Sequence, residues 1–160
     1  MIRFRNAALI STVVLAASLA VLPASAQDIN ARPNYATVNL RAGFTPDPHV
    51  TAVRSGGNIN AERVGSACRG YISQAPDVRL NYTNGSYPLI ISADSSSDTT
   101  LVVNAPDGSW YCDDDSGNRG MNPSIRFNRP MSGRYEIWVG TYGSTDTRAA
   151  RLHISEVGSQ

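Results

Sequence analysis

Short runs in which apolar and polar residues alternate, each cut off by Gly, Pro, Asn or Asp, constrain this chain more than any other feature. In YATVNLRA, Val38, Leu40 and Ala42 share one side of an extended backbone, and Thr37, Asn39 and Arg41 share the other. Val78, Leu80 and Tyr82 repeat the pattern, as do Ile125 with Phe127, Tyr135 with Ile137 and Val139, and Ala150 with Leu152 and Ile154. Side chains alternate across a strand, so a period of two without a sustained period of 3.6 predicts strands and excludes a helical fold. Leu89–Ile91 and Leu101–Val103 are apolar at consecutive positions, which predicts strands covered on both faces. Asn84-Gly85 between two such runs predicts a hairpin, because a type I′ turn needs positive φ at both central residues. Ala105-Pro106-Asp107-Gly108 predicts a second hairpin, joining TTLVVNA to SWYC. With the HVTAV run, about eight short strands result, and the fold class is all-β, an antiparallel β-sandwich. NAERVGSA is the one short, weak helical segment.

Residues 1–26 do not belong to this pattern. Arg3 and Arg5 precede an apolar run from Ala7 to Leu22, and Ala24-Ser25-Ala26 ends it with small residues. That is the layout of a secretory signal peptide cleaved before Gln27. Residues 27–34 then form a loose N-terminal lead, and residues 35–158 a single sandwich domain. No second apolar run is long enough to span a membrane. Of 14 basic and 13 acidic residues, two basic ones fall in the leader. The remainder is close to neutral, which argues against nucleic acid as a partner. In an exported chain Cys68 and Cys112 are expected to pair. Such a bridge closes a loop of roughly 45 residues and contributes about 3–4 kcal/mol.

Chemistry concentrates in WYCDDDSGNRG. Asp113, Asp114 and Asp115 offer adjacent hard oxygen ligands, and Asp98 opens the strand that runs back toward Cys112. Together they make a candidate calcium site, with Arg119 as a built-in counter-charge. The spacing is not that of an EF-hand, and an acidic turn bonded to its own backbone amides is the plainer reading. Asp115-Ser116-Gly117 looks like the core of a serine-protease nucleophile segment. A triad also needs a histidine base, an orienting carboxylate and an oxyanion hole. His49 lies in an unsuitable setting, and His153 alternates out of phase with Leu152 and Ile154, toward solvent. Trp138 alternates out of phase with Ile137 and Val139 and shares a side with Arg134 and Glu136. Those three residues form a candidate ligand platform. Trp110 shares the inward face of Cys112 and is expected in the core.

The second half, about residues 75–157, resembles the bacterial pre-peptidase C-terminal (PPC) domain. The resemblance rests on Asp98-Thr99-Thr100-Leu101, Pro106-Asp107-Gly108, Asp114-Asp115-Ser116-Gly117, Gly133-Arg134-Tyr135 through Val139, and Tyr142-Gly143, in that order. It implies a jelly-roll-like sandwich without catalytic activity, of a kind that accompanies secreted peptidases. Some similar domains on collagenases bind calcium and substrate. The expected function is thus an exported, non-catalytic module that binds a protein or glycan in the periplasm or outside the cell. A calcium-dependent structural or adhesive module is the alternative, and a secreted serine hydrolase the second.

Overall fold

The computed structural model describes residues 27–160; the expected signal peptide lies outside them. Eleven strands form, against the eight or so expected. They are β1 (Ala36–Arg41), β2 (His49–Ser55), β3 (Ile59–Asn60), β4 (Tyr71–Ile72), β5 (Val78–Thr83), β6 (Leu89–Asp94), β7 (Thr99–Asn104), β8 (Trp110–Asp113), β9 (Ser124–Phe127), β10 (Gly133–Thr141) and β11 (Arg148–Ser155). The two-residue strands β3 and β4 are too short to show alternation in a sequence. The weak helical segment is a single 3-10 turn, Ala61–Arg63.

The strands make two sheets. One holds β1, β5, β10, β7 and β8, with β4 and β3 at its margin; the other runs β2-β11-β6-β9. Every pairing is antiparallel except β1 with β5, which is parallel. The period-two residues meet between the sheets: Val38, Leu80, Leu101, Tyr135 and Ile137 from one, Val53, Ile91, Phe127, Leu152 and Ile154 from the other. Both consecutive apolar runs are buried along their length, as expected.

The hairpin from Ala105 to Gly108 forms, with Asn104 opposite Trp110. The hairpin at Asn84-Gly85 does not. β5 is flanked by β1 and β10, while β6 lies in the other sheet between β11 and β9. The connection therefore crosses from sheet to sheet. Neither Asn84 nor Gly85 has positive φ. Asn84 instead bonds the Pro130 carbonyl (3.1 Å) and Ser132 Oγ (2.6 Å).

A second, smaller core lies on the outer face of the β10 sheet. Trp138 and Val102 point away from the main core and are covered by Ala61, Cys68 and Ile72. The Cys68–Cys112 bridge is present and fastens this cover to β8. The cover lies close enough that a Cβ at Gly57 would collide with the Ile72 backbone, and one at Gly140 with Thr100 and Ile72. Cys112 and Trp110 thus face this outer core instead of the main one, and Trp110 is half-buried, 5.5 Å between ring centroids from Trp138.

Residues 27–34 contain no strand, yet they are not loose. Asp28 N donates to Gln74 O (3.1 Å), Asn34 N to Pro76 O (2.8 Å), and Ile29 packs on the outer core.

Candidate functional site

The outer face of β1, β5 and β10 carries side chains that the main core does not use. Register places Thr37 beside Arg79 and Glu136, then Asn39 beside Asn81 and Arg134, then Arg41 beside Thr83. Glu136 is the hub. It is 1% exposed, and its Oε1 receives Arg79 Nε at 2.5 Å and Arg134 Nε at 3.0 Å. Arg79 also donates to the carbonyls of Ile29 and Ala31, and Arg134 to Asn30 Oδ1. One buried carboxylate therefore ties β5, β10 and the N-terminal lead together. Burial pushes its carboxyl above the usual range, and both guanidiniums pull it back.

Beyond this hub the face opens into a groove of about 420 Å³ lined by Asn39, Arg41, Asn81, Thr83, Gly133 and Arg134, with Leu40 and Tyr82 behind them. Asn81 Nδ2 donates to Asn39 Oδ1 at 2.9 Å, which orients an amide row across two strands. No carboxylate lines the groove. Arg41 is exposed and has no ion pair among the described residues.

Of the expected platform, only Arg134 reaches this surface. Trp138 is 0% exposed and Glu136 nearly so. Alternation placed Trp138 on the correct face, but the bridged cover and the lead close that face over it. Trp138 therefore supplies packing and offers no stacking surface.

The acidic turn is bonded inward. Asp113 accepts from Ser116 N (2.9 Å), Ser116 Oγ (2.6 Å) and Ser124 N (2.8 Å), which occupies both its oxygens. Asp98 Oδ1 is buried without a hydrogen bond. Burial pushes its carboxyl up, and the charges of Asp115 and Asp114 push further. Arg119 forms no ion pair among the described residues. Among those residues no three His, Cys, Asp or Glu side chains are placed to hold a metal ion. Asp113 is thus engaged in the turn, and Asp98 feels the charges of Asp114 and Asp115 without the four carboxylates forming such a group.

Ser116 bonds a carboxylate and no imidazole. His153 is not at the surface: it is 5% exposed, and its Nε2 lies 2.7 Å from Asp94 Oδ1. Arg151 forms an ion pair with the same carboxylate at 2.6 Å. Register sets Ser92 opposite His153, a grouping the sequence reading missed because 59 residues separate Asp94 from His153. No hydrogen bond joins Ser92 to the ring. Ser92 Oγ accepts from Gln160 N (3.2 Å), and His153 Nδ1 is buried without a partner. The serine–histidine contact of a triad is absent here.

Asp77 is the other buried acid. It accepts from Asn34 Nδ2 (3.0 Å), Ser73 Oγ (3.4 Å) and Val139 N (2.8 Å). Burial pushes its carboxyl up to about 7, against those hydrogen bonds. The folded state thus holds a proton that the unfolded chain, with an ordinary value of 3.8, has released. Asp77's contribution to stability is full below that ordinary value and is lost as pH rises toward 7. Melting temperature is expected to rise as pH falls from 8 to 5, and Asp77→Asn to flatten the slope. An unchanged slope in thermal melts of the variant would show that Asp77 stays ionised.

No protein-family model and no curated protein sequence matches this chain. Among solved structures, the chain is similar to PliG of Aeromonas hydrophila, a periplasmic inhibitor of g-type lysozyme. The match covers 75% of this chain and 97% of that one, at 15% identity and a TM-score of 0.35. A likeness of that size decides neither fold nor function.

Proposed function

We propose that this chain is an exported, non-catalytic binding module that takes a protein or glycan ligand in the periplasm or outside the cell. The observation that carries this reading is the acid-free groove of amide and guanidinium groups on the outer face of β1, β5 and β10. Arg134 is held by the buried Glu136 hub and Asn81 by Asn39, so these side chains lose little freedom on binding. The leader pattern of residues 1–26 and the Cys68–Cys112 bridge support export, since disulfides persist in oxidising compartments. The PPC resemblance supports a module without chemistry of its own, as does the Ser116–Asp113 bond, in which Ser116 meets a carboxylate and no histidine.

The test is a glycan array and a pull-down from envelope extract, with the wild type and an Arg41→Ala, Asn81→Ala variant. Both residues are exposed, so the variant should melt as the wild type does. Each hydrogen bond lost to a charged group costs about 1.5–3 kcal/mol, so affinity should fall roughly tenfold or more. Equal binding by both proteins would remove the groove from the reading. Binding is expected to survive EDTA. Loss in EDTA with recovery on calcium would replace this reading with the calcium-dependent module.

A further inference from the structure

We infer that the groove takes an acidic polysaccharide whose carboxylates recur along an extended chain, that is, a uronic-acid polymer. This inference rests on the groove being the binding site. Its chemistry comes from what lines the groove and what does not. Arg41 and Arg134 stand at opposite corners of the amide row. They are one two-residue step and two strand spacings apart, which puts their Cα atoms about 12 Å from each other by strand geometry. No lining residue is acidic. Arg41 has no ion pair, while Arg134 is held by Glu136 and Asn30 and stays 43% exposed. Two separated guanidiniums with amides between them suit a ligand with at least two acid groups and hydrogen-bonding hydroxyls between them.

A protein partner fits less well. Protein interfaces centre on buried aromatic or aliphatic anchors set in pockets. The groove offers no exposed aromatic ring and no apolar pocket. The most exposed large apolar side chains, Tyr87, Met121 and Val157, lie outside it. Its volume is within the range of small-ligand sites. A strand-built groove whose polar groups are amides and planar guanidinium donors, with no acid among them, is therefore matched to a polyhydroxylated polyanion.

The probe is an oligogalacturonate hexamer titrated calorimetrically against the folded chain in calcium-free buffer. Its fully methyl-esterified form, poly-glutamate and a single-stranded oligonucleotide serve as controls. The expected result is binding of the acid form only, weakened by added salt and at least tenfold weaker in Arg41→Glu. Comparable binding of the ester, poly-glutamate or the oligonucleotide would overturn the inference, as would no binding of the acid form. Two failures are distinguishable. If Arg41→Glu loses a protein or neutral glycan that the wild type holds, the groove stands and the uronate class falls. If wild type and variant bind the uronate equally, the groove itself is wrong.

Discussion

Reducing the Cys68–Cys112 bridge, or replacing Cys68 with serine, is expected to destabilise the chain by about 3–4 kcal/mol. It should also red-shift the tryptophan emission before the sheets unfold. The bridge spans 44 positions, so without it the unfolded chain gains much loop entropy. The local effect follows from what else holds the cover. β3 and β4 pair through two residues each, and β4 meets β10 at Thr141 and Tyr71 alone. Beneath lie Trp138, with no exposed surface, and Trp110 stacked at a tilt against it. Once the cover loosens, both rings meet water while the main core, which uses other residues, remains closed. Emission and far-ultraviolet circular dichroism recorded together under reductant check this. Coincident loss of both signals would show that cover and sandwich unfold as one unit, and identical melting of the two redox forms would contradict the stabilisation.

Removing Glu136 is expected to cost about as much or more. Glu136→Ala leaves Arg79 partly buried without a counter-charge, and breaking a buried pair this way costs about 3–5 kcal/mol. Arg134 contributes less because its guanidinium is partly solvated. The loss should spread beyond the sheet. Arg79 holds the Ile29 and Ala31 carbonyls and Arg134 holds Asn30, so residues 27–34 should become protease-sensitive before the domain melts. Glu136→Gln keeps a hydrogen-bond acceptor and should fall between the wild type and alanine. Limited proteolysis with denaturant melts measures both effects. A glutamine variant as damaged as alanine would mean that charge, and not shape, carries the hub.

The site was only partly legible beforehand. Alternation put Arg134, Glu136 and Trp138 on one side of β10, and they are. It did not show that a bridged segment from 59 to 72 folds over that side and buries the tryptophan. Asn39, Arg41 and Asn81 read as ordinary solvent-facing strand positions. They become a groove because β1 joins β5 in parallel and β5 joins β10, pairings with no local signature. The near-neutral composition concealed a surface that is basic because the acids sit elsewhere or are buried. His153 misled as well: alternation turned it away from the main core, yet it is buried beside Asp94 of the neighbouring strand.

The sequence alone determined the all-β class, the inward set of the longer alternating strands, the Ala105–Gly108 turn and the pairing of two cysteines, because each depends on side-chain direction or on the chemistry of a few neighbouring residues. Tertiary structure alone decided which strands are neighbours, which outward faces stay wet, and where Asn84-Gly85 leads. Those outcomes come from contacts between residues tens of positions apart. In them, burial of a whole face and hydrogen bonding of sheet edges outweigh the preference of a two-residue turn.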